Sequence, residues 1–145
     1  EVVTLGYRYH MSNINAAIGI AQLRKLEAFV GKRKEIAERY NAAFKGIKGI
    51  KTLKWELWEM APFMYILRVD GDRRDGMMDF LASKGVASGV HYIPNHLQPF
   101  FSKYATELPA TEKVWKEIIT LPLFYDMTDN DVELVIRSVG EFFAH

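Results

Sequence analysis

The sequence contains no cysteine. Disulfide bonds, thiolate metal sites and cysteine nucleophiles are therefore excluded, and the composition suits a reducing compartment, for which we predict the cytoplasm. The sequence also lacks any apolar run close to the roughly 20 residues that a membrane-spanning helix requires. We therefore expect neither a disulfide scaffold nor a protein that crosses a membrane.

An excess of charge of one sign is missing as well. Nineteen basic and eighteen acidic residues leave a formal net charge of +1. A protein that binds nucleic acid or an anionic membrane surface usually carries a clear basic excess. The composition therefore predicts neither kind of partner, and the function is to be sought in particular residues.

The chain of 145 residues is 49% hydrophobic and 26% charged, which is the size and composition of one globular domain with its own core. It begins at Glu1 rather than at a methionine and shows no signal-peptide pattern. We therefore expect residues 1–145 to form a single domain of a longer protein.

The first predicted helix runs from about Ile14 to Val30, with Ser12 or Asn13 as its N-cap. A helix on a protein surface normally carries a single apolar stripe, but here the apolar residues occupy more than one face. They are Ile14, Ala16, Ala17, Ile18, Ile20, Ala21, Leu23 and Leu26. We therefore expect a partner subunit or a further domain to cover this helix.

The charged segment from Lys32 to Arg39 continues the helical pattern, with Glu35 and Arg39 at the spacing of an i,i+4 ion pair. The pattern predicts one long helix, or two helices in line, with a half-exposed second half. Gly46 and Gly49 mark its end, because glycine readily takes the conformation that terminates a helix.

Two strands and a helix are predicted in the middle of the chain. Met64 to Val69 is predicted to be a strand, because it is rich in β-branched and apolar residues, and Val86 to Tyr92 is predicted to be a second strand. Between them, Arg73 to Lys84 is predicted to be a helix with Gly85 at its C-terminal end.

Two further helices are predicted in the last third of the chain. Pro109 suits the first position of a helix that runs to about Ile118, before the break at Leu121-Pro122-Leu123. Thr128 and Asp131 have the spacing of a capping box. The helix that follows carries one apolar stripe, formed by Val132, Val135, Ile136, Val139, Phe142 and Phe143.

Together these elements predict an α+β fold, in which a long N-terminal helix and further helices pack on a small, mostly antiparallel sheet. The segment from Lys54 to Pro62 is predicted to be a hairpin connection. Seven aromatic residues are expected to pack in the core or at an interface. They are Trp55, Trp58, Phe63, Tyr65, Phe100, Phe101 and Tyr104.

Three segments match known sequence patterns. GYRYHMSNINAAIG at residues 6–19 is similar to the pattern GYNYRMSxIxAAIG, and the QL and KL pairs that follow it continue the likeness. GVHYIPNHLQ at residues 89–98, preceded by Gly85-Val86, resembles the pattern HYxPxHxQ. LPLF at residues 121–124, followed by Met127-Thr128, resembles the pattern LPLxxxMT. With these three segments in this order, the sequence resembles the DegT/DnrJ-type sugar aminotransferases.

The resemblance implies the aspartate-aminotransferase fold, with this chain as its C-terminal small domain. In that family a large N-terminal domain carries pyridoxal phosphate (PLP) on a lysine, and the enzyme is a homodimer with active sites between subunits. The enzyme moves an amino group, usually from glutamate, to a keto carbon of a nucleotide-linked sugar, as in polysaccharide biosynthesis. The resemblance assigns no catalytic residue to this chain, which we expect neither to hold PLP nor to be active alone.

For cofactor binding, the resemblance points to Arg8 and His10, because polar residues of this segment reach the PLP phosphate of the neighbouring subunit in the family. The sequence departs from the pattern at both positions, since Arg8 replaces the usual Asn and His10 replaces Arg or Asn. Both side chains donate hydrogen bonds to phosphate. The alternative is a surface segment in which Tyr7 and Tyr9 only pack.

For substrate binding, the resemblance points to His91, Tyr92 and His96, at the mouth of the active site. The spacing of the two histidines does not match a metal site, because no third ligand stands at a characteristic distance. A structural histidine with a satisfied ring remains the alternative. Because the lysine released from PLP is the expected acid and base of this reaction, we assign His91 to binding.

Two other functions stay open at this point. One is a relative on the same scaffold that dehydrates a sugar or has a regulatory role, in which another residue replaces the catalytic lysine. The other is a non-catalytic dimerisation module, with the apolar helix from Ile14 to Leu26 as the seam between two copies.

Overall fold

The structure, a computed structural model, describes residues 3–53 and 59–144. Trp55, Trp58 and most of the predicted hairpin lie outside the described residues. The helices are α1 (Asn13–Leu23), α2 (Leu26–Phe44), α3 (Arg73–Ser83), α4 (Pro109–Glu117) and α5 (Asp129–Phe143), with short 3-10 turns at Asn95–Leu97 and Pro99–Tyr104. The strands are β1 (Ile50–Thr52), β2 (Tyr65–Val69) and β3 (Ile118–Leu121).

The three strands form one antiparallel sheet in the order β1-β2-β3, which confirms the predicted α+β fold. The central strand pairs on both sides, so that Leu67 lies between Thr52 of β1 and Ile119 of β3. Side chains of β2 alternate between buried and half-buried, because successive residues of a strand point to opposite faces. One face of the sheet is therefore the floor of the core.

Helices α2, α3 and α5 supply the rest of that core. Their buried apolar side chains form a single cluster with the inward residues of β2 and β3. The largest of its fully buried members are Tyr40, Tyr65, Phe44, Ile36, Leu67, Met77, Leu81 and Ile119. Tyr40 and Tyr65 satisfy their hydroxyls by donating to the Pro122 carbonyl at 3.0 Å and to Asn41 Oδ1 at 2.7 Å. Burial raises the pKa of both phenols well above its ordinary value.

The N-terminal helical region consists of two consecutive helices, separated at Arg24 and Lys25. Ser12 is the N-cap of α1, and its hydroxyl accepts a hydrogen bond from the Asn15 amide at 3.2 Å. No residue of α1 is buried, and its apolar side chains remain largely in solvent, with Ile14 at 74% and Leu23 at 68% exposure. A covering domain or subunit for this helix remains a prediction.

The predicted ion pair between Glu35 and Arg39 of α2 is wrong. The guanidinium of Arg39 donates to Glu133 at 2.8 Å and to Asp129 at 2.6 Å, both on α5. Hydrogen bonds to Glu133 and Asp129, in that order, raise the pKa of Arg39. Glu35 contacts Lys32 instead, one turn earlier. Tertiary partners on a neighbouring helix have replaced the local pair.

The predicted strand from Val86 to Tyr92 is wrong. Only Gly89 joins the sheet, through a two-bond bridge to Thr120 at the free edge of β3. In this antiparallel register the next hydrogen-bonded pair would be Ala87 with Pro122. Proline has no N–H to donate, so this pair cannot form both of its bonds. On the other side of the bridge the next pair would be His91 with Ile118, but the Ile118 N–H donates to the Val114 carbonyl instead.

The predicted capping box of α5 is confirmed. Thr128 Oγ1 accepts from the Asp131 amide at 3.2 Å, and Asp131 accepts from the Thr128 amide at 2.8 Å. Hydrogen bonds from the Thr128 hydroxyl and then its amide lower the pKa of Asp131 below 3.8. Because the folded-state pKa is the lower one, the stabilisation is present above pH 3.8 and is lost as the pH falls through the folded-state value.

We therefore expect Asp131→Asn to reduce stability at neutral pH and to converge with the unsubstituted chain in acid. Urea unfolding at neutral pH and well below pH 3.8 measures this difference. Asp126→Asn, which removes an exposed carboxylate outside the box, is the control and should leave the pH dependence unchanged. A difference between Asp131→Asn and the unsubstituted chain that persists in acid would contradict the assignment.

Candidate functional site

The segment before α1 carries two polar side chains that contact each other. Arg8 Nε donates a hydrogen bond to His10 Nδ1 at 2.8 Å. An imidazole nitrogen that accepts a hydrogen bond has no proton, so the proton of the neutral ring lies on Nε2. The pair therefore offers the two terminal nitrogens of Arg8 and the Nε2–H of His10 as outward donors.

This arrangement fits a phosphate group. A guanidinium offers paired donors that match phosphate oxygens, and the start of α1 adds amides whose partial positive charge favours anions. Arg8 and His10 could therefore bind a phosphate group, and their assignment to the phosphate of PLP remains a prediction. Tyr7 and Tyr9 are 79% and 89% exposed and contact each other at 6.1 Å, so neither packs into the core of this chain.

His91 and Tyr92 form a second group, in the connection that follows the Gly89 bridge. His91 Nδ1 lies 2.9 Å from Thr120 Oγ1 on β3. The two rings meet edge to face with centroids 4.8 Å apart, and Tyr92 is 74% exposed. His91 Nε2 and the Tyr92 hydroxyl make no hydrogen bond to any described residue and are available to a ligand.

His96 has a different environment. Its Nε2 lies 3.2 Å from Glu112 Oε1 of α4, and only 9% of its side chain is exposed. The contact ties the 3-10 turn at Asn95–Leu97 to α4. A substrate-binding role for His96 therefore remains a prediction, and this geometry by itself favours a structural one.

A groove of about 440 Å³ opens beside Tyr92. Its opposite wall is the apolar face of α4 and the start of β3, including Val114, Trp115 and Ile118. Sequence reasoning did not predict this groove, although Trp115 lies one turn after Glu112 on the predicted helix that begins at Pro109. Apolar and aromatic walls with a few polar groups at the rim are typical of small-molecule sites.

The structure does not bring the two groups together within one chain. Among residues 3–53 and 59–144, no hydrogen bond or ring contact joins the Arg8–His10 pair to His91 or Tyr92. No group of three or more His, Asp or Glu side chains in the described part of the chain is placed to hold a metal ion. No described helix combines the length and hydropathy needed to cross a membrane.

Comparison with solved structures shows a similar fold in aminotransferases. The chain is 34% identical to the aminotransferase TlmJ from Streptoalloteichus hindustanus, with a TM-score of 0.89 over 99% of this chain and 40% of TlmJ. It is 26% identical to the sugar aminotransferase CalS13 from Micromonospora echinospora, with a TM-score of 0.86 over 94% of this chain and 37% of CalS13.

A third relative has been solved with its cofactor. Spr1654 from Streptococcus pneumoniae, known in apo, PMP and PLP forms, is 30% identical, with a TM-score of 0.87 over 99% of this chain and 38% of Spr1654. The chain thus spans about 40% of the length of the first of these relatives. The pattern of the DegT/DnrJ/EryC1/StrS aminotransferase family matches residues 1–140, and the chain belongs to this family.

Proposed function

We propose that this chain is the small domain of a PLP-dependent sugar aminotransferase and supplies binding groups rather than the catalytic lysine. The observation that carries the proposal is the Arg8–His10 donor pair, which stands before α1 inside the segment matched by the family. The chain spans about 40% of the relative TlmJ, so the PLP-bearing lysine is assigned to the remainder of the longer protein.

The role of Arg8 and His10 is to hold the phosphate of PLP. When bound, PLP supplies the electron sink that allows an amino group to leave one substrate and join another. The guanidinium of Arg8 would offset part of the negative charge of the phosphate, and the Nε2–H of His10 would help to orient it. In a homodimer this segment would reach the site of the neighbouring subunit, and its high exposure in a single chain suits that role.

The role of His91 and Tyr92 is to bind the keto sugar. His91 Nε2 and the Tyr92 hydroxyl have no hydrogen-bond partner among the described residues, and Tyr92 lines an apolar groove in which a sugar ring face could be contacted. The contact between His96 and Glu112 attaches the segment that follows Tyr92 to α4. We propose glutamate as the donor of the amino group and a nucleotide-linked keto sugar as its acceptor.

The half-reaction with glutamate tests the proposal on the full-length protein. With PLP bound and no sugar present, addition of glutamate should release a stoichiometric amount of 2-oxoglutarate, because the transferred amino group has no acceptor and turnover stops. Release is measured by coupled enzymatic detection. A protein that binds PLP and releases no 2-oxoglutarate would contradict amino transfer from glutamate.

We expect Tyr92→Phe and His91→Gln, each in the full-length protein, to raise KM for the sugar by up to about tenfold, because the first removes a hydroxyl and the second replaces a ring nitrogen in a fixed position by a flexible amide. Steady-state kinetics with a nucleotide-linked keto sugar measures this. His96→Gln is the comparison, because its contact with Glu112 predicts a loss of stability with little change in KM. Unchanged KM in both Tyr92→Phe and His91→Gln would remove these residues from the sugar site.

A further inference from the structure

We propose that Thr120 is a positioning residue for His91, and that it fixes Nε2 as the ring nitrogen that faces the sugar. The identity of the ligand, a sugar, rests on the proposed function. The contact between Thr120 and His91 is independent of it, because both residues belong to this chain. Thr120 Oγ1 lies 2.9 Å from His91 Nδ1, the ring nitrogen that this contact occupies.

The backbone of Thr120 also contacts the loop that carries His91, at Gly89, two residues before the histidine. Thr120 N donates to the Gly89 carbonyl at 2.7 Å, and Gly89 N donates to the Thr120 carbonyl at 3.1 Å. These two bonds form the only bridge between this loop and β3 in the described part of the chain. One residue of the sheet therefore sets both the position of the loop and the orientation of the imidazole two residues later.

Gly89 leaves the space that this orientation requires. A Cβ atom added at Gly89 would lie 3.1 Å from His91 Cε1, which is closer than an ordinary van der Waals contact. The absence of a side chain at Gly89 therefore leaves room for the imidazole, whose Nδ1 meets Thr120.

The position of Thr120 in the sheet makes this support rigid. Thr120 pairs with Ile66 of the central strand, and its neighbours Ile119 and Leu121 are buried in the core. A hydroxyl on such a strand loses little freedom when it bonds a ligand-binding side chain. Because a hydrogen bond occupies one nitrogen of the His91 ring, it leaves the other nitrogen for a substrate.

The test is nitrogen-15 NMR of histidine-labelled full-length protein, with the His91 signals assigned by their loss in His91→Gln. Thr120→Val removes the hydroxyl at nearly constant shape, and Thr120→Ser keeps it. We expect Thr120→Val to change the His91 tautomer ratio by about fivefold, equivalent to about 1 kcal/mol, toward that of free histidine. Thr120→Ser should keep the original ratio, and the His96 signals should stay in place in both.

The same variants separate this inference from the proposed function. A Thr120→Val spectrum with unchanged His91 signals, or equal changes in Thr120→Val and Thr120→Ser, would overturn the positioning role. Altered His91 signals in Thr120→Val together with an unchanged KM in His91→Gln would keep the positioning role and refute the sugar contact. Because the spectra are recorded without sugar, failure of the proposed substrate does not affect the first result.

Discussion

Replacing Arg8 and His10 together with alanine in the full-length protein should lower its affinity for PLP by about 100-fold. Each residue removes a charge-assisted or polar hydrogen bond to a phosphate, and such bonds contribute about 1.5 kcal/mol or more apiece when one partner is charged. The two side chains contact each other, so their effects should not be additive. Equilibrium dialysis against PLP measures the change.

The control for this experiment is Arg24→Ala/Lys25→Ala, which removes two cations at the other end of α1. Both variants lower the net charge of the chain, but only the first removes the donors that we assign to the phosphate. PLP affinity should therefore be unchanged in the control. Equal losses of PLP affinity in the two double variants would mean that net charge alone explains the effect. No loss of affinity in either variant would refute the phosphate role.

Leu67→Ala should destabilise the chain by about 3 kcal/mol. Leu67 is fully buried in the central strand, where removal of its side chain loses the transfer free energy and leaves a cavity that the paired strands cannot close. Urea denaturation followed by far-ultraviolet circular dichroism measures the loss.

Ile66→Ala is the matched control, because Ile66 is the preceding residue of the same strand and points to the half-buried face. It removes a similar side chain where no enclosed cavity forms, so the expected loss is clearly smaller than that of Leu67→Ala. Equal losses at the two positions would mean that the core does not lie on the face of the sheet that Leu67 occupies.

Local patterns predicted the longer elements because their signals are contained within a few residues. The capping box of Thr128 and Asp131 placed the start of α5, and Gly85 ends α3 with a positive φ of 77°. Strands β1 and β3 are three and four residues long, which is too short for alternation to stand out from a loop. The sequence therefore predicted the central strand β2 but neither of the two strands that pair with it.

The residues of the site were predicted from the family resemblance, but their partners were not. Thr120 is 29 residues from His91, and Glu112 is 16 residues from His96. These contacts depend on where β3 and α4 pass the loop, which no local pattern encodes. The same holds for Arg39, whose partners on α5 displaced a predicted neighbour on its own helix.

The exposed apolar faces of α1 predict that another subunit or domain covers this helix. Ile14, Ile18 and Leu23 are more than half exposed in the single chain, which is costly for a helix in water. The prediction of a covering subunit or domain follows from this exposure. If the homodimer that we propose covers α1, it also brings the Arg8–His10 pair of one subunit toward the partner, because these residues directly precede the helix.

The most direct test of the account is transfer of nitrogen-15 from labelled glutamate to a nucleotide-linked keto sugar by the full-length protein with PLP. The account predicts an amino sugar that carries the label, detected by mass spectrometry, and no label without PLP. A sugar that loses water and gains no nitrogen would identify a dehydratase on this scaffold. That product, or a sugar left unchanged across a panel of nucleotide-linked keto sugars, would contradict the account.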